Sequence, residues 1–408
     1  MQPNRSLSSE LDERSEDLFG TAAPEGPTSQ RAGVLPHQAI EGLIARGAIK
    51  GAAIERAQLQ PASLDLRIGK IGFRINASFL PGRNVTVQDK IEHLKSHPIN
   101  LSAGSILEKG AVYVLQIEEE LSLNDTIYAV ANPKSSIGRL DVFTRLIADG
   151  SDAFDVVPPG FRGSLWAEVS PRTFSVRVKQ GSRLNQIRFR RRTSSQHAHT
   201  TFHLSDRDLE TVHAQSPIVD GAATIRGGLN MSVNLDGSAN GRIVGFRANK
   251  YASFIDIDKV GDYDPTAYWH PLFGRDDRSV ILEPGQFYIL ASKERLHIPA
   301  DLAAEMVAFD PMMGEFRVHY AGFFDPGFGR SDSGAPGSRA VLEVRTYDIP
   351  FLLQDGQTIG RLVFERLAER PRRLYGDAIG SNYQGQGLKL SKHFRAWPAN
   401  SPSELGDF

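Results

Sequence analysis

The sequence places a turn and an isolated acid close together in its second half. Residues 324–329 (FDPGFG) are followed, after a polar insertion, by 341–344 (VLEV). Glycine in such a turn leaves backbone groups accessible, and a carboxylate among apolar residues has its pKa shifted by burial. The spacing predicts a pocket beside the acid, Glu343. A surface turn leading to a strand whose Glu faces water fits the same residues.

A second stretch, 133–139 (PKSSIGR), concentrates hydrogen-bond donors. Two hydroxyls, a glycine, a lysine and an arginine within seven residues suit phosphate oxygens, and arginine can bind such a group bidentately. A serine-rich turn with surface charges is the competing interpretation. A later stretch, 311–317 (PMMGEFR), keeps an arginine but has no hydroxyl and gains an acid. We expect this later stretch to bind phosphate poorly.

The C-terminal region offers aromatic rings and amides on a glycine-rich segment. Tyr375 and Gly376 are followed by 382–387 (NYQGQG). Such a segment can close over a ligand as a lid, although a disordered C-terminus has the same composition.

Metal-based alternatives are weak. His93 and His97, like His199 and His203, stand four residues apart, but neither pair has the glutamate of a zinc protease between its members. We interpret both pairs as surface histidines. The chain has no cysteine, so the Cys-ligated zinc of the known zinc deaminases is excluded.

Composition bounds the class of protein. The chain has 408 residues, 40% hydrophobic and 23% charged, with a net charge of −1. This is a globular composition without a global field that favours nucleic acid or an anionic membrane. The lack of cysteine fits a reducing compartment, by default the cytoplasm, and no apolar stretch approaches the roughly 20 residues of a membrane span.

The elements that must position these groups are mainly strands. A helical pattern begins at His37 and stops near Gly51, and 60–69 alternates as a half-buried strand. From there to Leu367, short β-rich runs punctuated by Gly, Pro, Asn and Asp dominate. The sequence therefore predicts a mainly β protein with a few short helices.

The chain also repeats itself. Residues 106–115 recur as 281–290, an offset of 175, with six of ten positions identical. The same offset relates 181–189 to 356–364 and Glu168 to Glu343, and 63–66 has a weaker counterpart in 232–235. The arginines at 190–192, before the second copy, are interpreted as a solvated strand end.

These patterns divide the chain into five parts. They are a disordered N-terminal segment (1–33), a first copy (34–192), a linker (193–201), a second copy (202–370) and a tail or lid (371–408). The first copy retains the donor stretch, whereas the second retains Asp325 and the tail. This complementary loss predicts one composite site.

Several stretches of the chain resemble a known family. The stretches 60–67 (QPASLDLR), 134–139 (KSSIGR), 324–329 with 341–343, and 383–386 (YQGQ) are similar to the dCTP deaminases of the dUTPase-like superfamily. The resemblance covers residues 37 to about 392 as two tandem copies. It implies two distorted β-barrel or jelly-roll domains and a homo-oligomer, usually a trimer, with nucleotide sites between subunits.

The resemblance also implies roles for single residues. Glu343 is the expected general base, which takes a proton from the water that attacks cytosine C4, without zinc. Asp325 is expected to bind the deoxyribose, and the strand that begins at Val341 to meet the base. The remaining expected nucleotide contacts are Lys134, Ser135, Ser136 and Arg139 for the triphosphate, Gly327 in the turn, and Tyr375 and Gln386 in the closing tail. Mg²⁺ is expected to enter with the triphosphate.

The chain departs from the family at two places. Phe323 stands where the family often has an arginine, and Asn382 where the tail often has a lysine. Compensating charge must then come from elsewhere. Glu168 is a rival base, but its copy lacks the aspartate and the tail, so we rank Glu343 first.

The leading hypothesis is hydrolytic deamination of dCTP to dUTP and ammonia. The alternatives are a dUTP diphosphatase, or a bifunctional enzyme that gives dUMP, and, from another class, a nucleotide-binding regulator without turnover. We expect nucleotides as partners, with neither nucleic acid nor membrane.

Overall fold

The computed structural model describes residues 31–51, 54–193, 203–238, 242–307, 322–330, 336–346, 348–376 and 383–398, and the backbone of 316–318. The predicted N-terminal segment up to residue 30, most of the predicted linker, the stretch 311–315 and Asn382 lie outside these residues. Gly33, the last residue of that predicted segment, already pairs with Arg191 in a strand.

The first half of the described chain is built from short helices and many strands. Its helices are α1 (His37–Ala45), α2 (Val87–Leu94) and α3 (Ser135–Gly138). Its strands are β1 (Gly33–Val34), β2 (Ile49–Lys50), β3 (Leu59–Gln60), β4 (Ser63–Ile75), β5 (Lys95–Asn100), β6 (Ser105–Leu107), β7 (Val112–Ser122), β8 (Ile127–Pro133), β9 (Val142–Ala148), β10 (Val156–Val157), β11 (Arg162–Pro171), β12 (Val176–Val178) and β13 (Arg183–Arg191).

The second half follows the same style. Its one α-helix within the described residues is α4 (Asp206–Gln215). Its strands are β14 (Leu229–Ser232), β15 (Ile243–Ala248), β16 (Ile255–Asp256), β17 (Trp269–Phe273), β18 (Ser279–Leu282), β19 (Phe287–Leu296), β20 (Leu302–Val307), β21 (Phe316–Val318), β22 (Phe323–Phe324), β23 (Ser338–Thr346), β24 (Phe351–Gln354) and β25 (Thr358–Arg366).

The helices start where side chains cap them. Thr86 accepts a hydrogen bond from the backbone N–H of Asp89 at the start of α2, and the Asp89 side chain accepts one from the Thr86 backbone N–H. At the start of α4, the Ser205 side chain accepts a hydrogen bond from the backbone N–H of Asp208. No helix of the described chain is both long and apolar enough to cross a membrane. The architecture is mainly β with barrel-like sheets, which confirms the predicted fold class.

The two halves form separate sheets with one shared element. In the first half the main path runs β10-β8-β13-β4-β7-β11-β9. In the second half the paths are β14-β25-β20-β22 and β17-β15-β19-β23-β21. A three-stranded sheet, β16-β12-β6, takes β16 from the second half and the other two strands from the first. This small sheet ties the halves together.

Strand register follows the sequence offset. In the first half Glu168 of β11 lies opposite Val114 of β7. In the second half Glu343 of β23 lies opposite Ile289 of β19, so each partner is displaced by 175 positions. The two glutamates therefore stand at equivalent points of equivalent strand pairs.

One sequence match is shifted in the structure. Asp65 pairs with Gln186, and Asn230 pairs with Arg361, the residue 175 positions after Gln186. Asn230, rather than Asn234, thus occupies the place of Asp65. The match of 63–66 with 232–235 was wrong by four residues, because short alternating strands look alike in several registers.

Strand β4 is more buried than its alternation indicates. The stretch from Ser63 to Gly69 is buried on both faces. Its polar side chains are covered by partners, since Asp65 pairs with Lys134 and Arg67 with Glu119. The prediction of a half-buried strand is therefore wrong here, because the face that carries the polar side chains is buried as well.

The basic end of β13 lies in the contact between the halves. Arg190 is buried and pairs with Glu365 at 2.7 Å and with Glu305 at 2.9 Å. The solvated strand end predicted for this residue is therefore wrong. Positions 190 and 365 are equivalent in the repeat, so opposite charges at one repeat position hold the two halves to each other.

Candidate active site

A cavity of about 460 Å³ lies between the two halves and gathers residues from both. Nine of the ten site residues expected from the sequence line it, namely Lys134, Ser135, Ser136, Arg139, Asp325, Val341, Glu343, Tyr375 and Gln386. The tenth, Gly327, lies behind the wall. Stretches that are about 200 residues apart in the chain therefore meet in one space.

Glu343 is the buried acid of this cavity. It lies on β23 and is 5% exposed. Burial raises the pKa of Glu343 to about 7, and the Arg139 guanidinium opposes that rise. The Arg139 Nε atom lies 3.9 Å from Glu343 Oε1 and has no hydrogen-bond partner within the described structure. Near neutral pH this carboxyl can therefore both accept and return a proton.

Arg139 connects the donor stretch to the tail. It follows α3, where both of its terminal nitrogens lie 3.2 Å from the side-chain oxygen of Gln386. It also donates to the carbonyl of Lys389 at 3.1 Å and lies 4.0 Å above the ring of Tyr383. These contacts fix the guanidinium beside Glu343.

The donor stretch is a tight turn at the end of β8. Lys134 precedes the single helical turn α3, and Ser136 and Ile137 within that turn are buried. Lys134 forms an ion pair with Asp65 of β4. The hydroxyls and the lysine are thus presented to the cavity by a backbone that β4 and β8 hold in place.

Asp325 has a partner that the sequence analysis missed. Burial raises the pKa of Asp325, while Arg188 of β13 lowers it. Arg188 is 0% exposed, its Nη2 lies 3.2 Å from Asp325 Oδ1, and its guanidinium lies 4.0 Å above the ring of Phe323. Arg188 of the first half therefore supplies the positive charge that an arginine in place of Phe323 would provide. The available signal was the difference between the two copies, since the first has Arg188 where the second has Val363.

Gly327 allows the tail to approach the turn. Its φ of +87° is in the region that favours glycine, and a Cβ there would lie 2.8 Å from the Leu374 Cβ. The Tyr375 N–H donates to the Pro326 carbonyl at 2.7 Å, and the Tyr375 ring packs on Phe328 at 5.4 Å. Gly327 thus supports the wall rather than lining it.

The tail is docked against the start of β23. The Gln386 side chain donates to the Arg339 carbonyl at 3.0 Å, and the Gln386 carbonyl accepts from the Arg339 N–H at 2.9 Å. The Gln384 side chain accepts from Gly329 at 3.1 Å and donates to Arg330 at 2.6 Å. The described part of the predicted lid is therefore a closed wall of the cavity.

Glu168, the rival base, does not line the cavity. It is 2% exposed, and its Oε1 lies 2.7 Å from the Arg145 Nη2. The Arg145 guanidinium is itself stacked over Phe154 at 3.7 Å and Phe143 at 4.6 Å. An acid locked in such an ion pair is poorly placed to exchange protons with a ligand.

The first of the two histidine pairs lies on the surface. His93 and His97 are both exposed and do not line the cavity, while His199 lies outside the described residues. A further basic residue that the sequence analysis missed, Lys392, does line the cavity. It follows the recognised tail motif by six residues, and no local pattern marks it.

Comparison with known proteins gives consistent results. Residues 31–193 match the model of the 2'-deoxycytidine 5'-triphosphate deaminase N-terminal domain, and 205–394 match that of the C-terminal domain. A solved structure described as 2'-deoxycytidine 5'-triphosphate deaminase from Agrobacterium tumefaciens is 44% identical, with a TM-score of 0.78, over 83% of this chain and 99% of that one.

Curated relatives point the same way. A protein named dCTP deaminase, dUMP-forming, from Beutenbergia cavernae is 32% identical over 152 residues, which is 35% of this chain and 74% of the relative. A protein of the same name from Leifsonia xyli subsp. xyli is 30% identical over 201 residues, 47% of this chain and 90% of the relative.

Proposed function

Because the chain belongs to the 2'-deoxycytidine 5'-triphosphate deaminase family, we propose that it converts dCTP to dUTP and ammonia with Glu343 as the general base. The observation that supports this assignment most is the buried carboxyl of Glu343, with a pKa of about 7, at the wall of a cavity that is also lined by lysine, arginine and serine side chains. The reaction needs a group that takes a proton and gives it back at neutral pH.

In the proposed reaction, Glu343 moves the protons of the attacking water. A water oxygen bonds to C4 of the cytosine while a Glu343 carboxylate oxygen takes one of its protons. The electron pair of the C4–N3 double bond moves to N3, and the protonated Glu343 passes this proton to N3. Glu343 then transfers the remaining hydroxyl proton to the amino nitrogen, the C4–N bond breaks as the C4 carbonyl forms, and ammonia departs. Water and dCTP thus become dUTP and ammonia, and Glu343 returns to its ionised form. No zinc enters these proposed steps.

Arg139 places a positive charge beside Glu343. Its guanidinium lies 3.9 Å from Glu343 and carries an Nε–H that no described residue accepts. A positive charge at this distance stabilises the ionised glutamate that must take the proton. The same N–H is available to negative charge that develops as water adds to the base.

The rest of the cavity suits the nucleotide. We propose that Lys134, Ser135 and Ser136 bind the triphosphate, and that Asp325, held by Arg188, binds the deoxyribose hydroxyl. Arg139, which the resemblance assigned to the triphosphate, lies beside Glu343 and is assigned to the base end. The backbone at Val341 would meet the base, and Tyr375 and Gln386 would cover it. Mg²⁺ would arrive as part of the substrate, bound to the phosphates.

A bifunctional reaction is the second candidate, and the names of the curated relatives favour it. Both are called dUMP-forming, whereas the structural neighbour with 44% identity carries the plain name deaminase. Formation of dUMP requires a second water to attack the α-phosphorus and to release pyrophosphate. We retain dUTP as the product because the neighbour that carries the plain name is similar over 83% of this chain, whereas the two dUMP-forming relatives are similar over 35% and 47% of it.

Product analysis tests these readings together. Purified protein is incubated with dCTP and Mg²⁺, and ammonia, dUTP, dUMP and pyrophosphate are followed by chromatography. Ammonia with intact dUTP is the expected result, and pyrophosphate with dUMP would make the enzyme bifunctional. Tight binding without any product would contradict the proposal and favour a nucleotide-binding regulator.

We further propose that the protein works as a homo-oligomer in the cytoplasm. The resemblance to trimeric enzymes with sites between subunits supports the first part, and the absence of cysteine fits the second. Light scattering of the purified chain measures the assembly, and a monomer that retains full activity would contradict this proposal.

A further inference from the structure

Lys392 is a basic residue of the cavity that the proposed mechanism does not use. Its side chain lines the cavity together with those of Lys134 and Arg183. Burial and the nearby Lys134 ammonium lower the pKa of Lys392, while Asp65 and Asp258 act in the opposite direction. A half-buried ammonium beside a second cation is an unfavourable arrangement unless an anion binds between them.

The neighbouring cations have partners, whereas Lys392 has none in the described structure. Lys134 is paired with Asp65, and Arg183 is paired with Glu55 at 2.5 Å. Within the described ranges, no carboxylate lies within 4.0 Å of the Lys392 ammonium, and the ammonium has no hydrogen-bond acceptor. The charge on Lys392 is therefore available to a ligand.

The backbone of Lys392 is held firmly on both sides. The Ser391 hydroxyl lies 2.7 Å from the Ser136 carbonyl oxygen and 2.7 Å from His393 Nδ1. The His393 Nε2 lies 2.9 Å from the Ile257 carbonyl oxygen, and both flanking side chains are buried. The Lys392 carbonyl itself accepts from the Gly261 N–H at 3.0 Å.

This anchoring determines where the lysine points. Residues 391–394 form a turn in which the Phe394 N–H donates to the Ser391 carbonyl at 3.1 Å, and from this turn the Lys392 side chain lines the cavity. The contact between Ser391 and Ser136 also ties the tail to the donor stretch itself. The lysine is thus fixed next to the groups assigned to the triphosphate.

We propose that the Lys392 ammonium binds a phosphate oxygen of the nucleotide, beside Lys134, and that the Ser391 and His393 contacts hold it there. This inference rests on the proposed function, because it assumes a nucleoside triphosphate in the cavity. Lys392 would supply a positive charge from the tail, where the motif has Asn382 in place of a lysine. Only the fold reveals this charge.

The test compares ligands with and without phosphates. Lys392→Met and Lys392→Arg are made in the Glu343→Gln background, so that binding is measured by calorimetry without turnover, with dCTP–Mg²⁺ and with deoxycytidine. Lys259→Met is the control, because Lys259 lies on a segment next to the tail but pairs with Asp262 in an exposed position.

The expected result is a phosphate-specific loss. Lys392→Met should weaken dCTP binding by about 10-fold, the order of one charge-assisted hydrogen bond, and leave deoxycytidine binding within about twofold. Lys392→Arg should recover most of the affinity, and Lys259→Met should behave as the background. The melting temperature without ligand should not fall in Lys392→Met, since the side chain has no partner to lose.

Two outcomes would overturn the inference. One is unchanged dCTP affinity in Lys392→Met, and the other is an equal loss for dCTP and deoxycytidine, which would assign Lys392 a structural role. Failure of the background protein to bind dCTP at all would instead contradict the proposed function. The two failures are therefore distinguishable.

Discussion

Glu168 and Glu343 stand at equivalent positions of two equivalent strand pairs, yet their surroundings differ. Glu168 is bound to Arg145 at 2.7 Å, whereas Glu343 lines a cavity with Arg139 at 3.9 Å. Both side chains are buried, so burial alone does not distinguish them. We infer that the position of the opposing cation, rather than burial, leaves Glu343 open to a ligand and Glu168 closed to it.

The two turns differ in the same sense. The first half has Pro158 where the second half has Asp325, and the tail contacts both halves, through Arg139 in the first and Arg339 in the second. The donor stretch with Lys134 comes from the first half. Each half supplies what the other lacks, and the cavity between them is the place where the two sets meet.

The largest expected effect separates the two acids. Glu343→Gln should lower the rate of ammonia release from dCTP by about 10³-fold, since general base catalysis is worth roughly 10² to 10⁴. Glu168→Gln should leave the rate within about twofold, because Glu168 does not line the cavity. A coupled ammonia assay measures both variants, and a loss in Glu168→Gln alone would exchange the roles of the two halves.

The second largest effect is expected when Arg188, the buried arginine of the first half that pairs with Asp325 of the second, is removed. Arg188→Val introduces the residue found at the equivalent position, Val363. It leaves Asp325 buried without its arginine, whereas Glu365 keeps Arg190. We expect the free energy of unfolding to fall by about 3 kcal/mol. Urea unfolding followed by circular dichroism measures this change.

The control for that change lies on the same strand. Arg191→Val removes a half-buried arginine, for which we expect a loss of no more than about 1 kcal/mol. Equal losses in Arg188→Val and Arg191→Val would show that the buried network between the halves has no special weight.

The third effect compares the glycines of the two turns. Gly327→Ala forces a Cβ to within 2.8 Å of the Leu374 Cβ and 3.2 Å of the Tyr375 nitrogen, so the tail must move. We expect KM for dCTP to rise by roughly 10-fold as the docked geometry is lost. Steady-state kinetics measure the effect.

Gly160→Ala is the matched change in the first half, where φ is +72°. It should cost about 1 kcal/mol of stability through backbone strain and leave KM within about twofold. If both variants raised KM equally, the difference assigned to the tail would be refuted.

The smallest effect is a pH dependence of the wild-type enzyme. Since the pKa of Glu343 is raised to about 7, its ionised fraction and therefore kcat/KM should increase by about threefold from pH 6.5 to pH 7.5. A flat profile over this range would contradict Glu343 as the titrating base.

Stability should respond in the opposite direction. The folded pKa lies above the unfolded one, so the protonated Glu343 stabilises the fold at low pH, and this contribution is lost as pH rises from about 4.5 to about 7. Glu343→Gln should therefore gain in melting temperature relative to wild type across that window. Calorimetric scans at several pH values measure the difference.

The sequence was sufficient for the parts of the site that lie in short motifs. The stretches that contain Lys134, Asp325, Glu343 and Gln386 have local patterns of residue type, and their resemblance to one family indicated a shared cavity. The mainly β architecture also followed from the punctuated, alternating strands. In these cases the information is local, so spacing along the chain carries it.

The parts that the sequence did not predict depend on contacts between distant segments. Arg188 and Lys392 lie in stretches without a motif, and their roles follow from the fold that brings them to Asp325 and to Lys134. The burial of Arg190 likewise requires knowledge that the second half provides Glu365. The register error at Asn230 arose because a period of two permits several alignments of short strands.

We propose that the two halves of the chain build one composite site. Titration of the Glu343→Gln protein with dCTP–Mg²⁺ in a calorimeter tests it most directly, because the stoichiometry reports the number of sites per chain. We expect one bound dCTP per chain. Two bound nucleotides of similar affinity per chain would contradict it, since each half would then retain a site of its own.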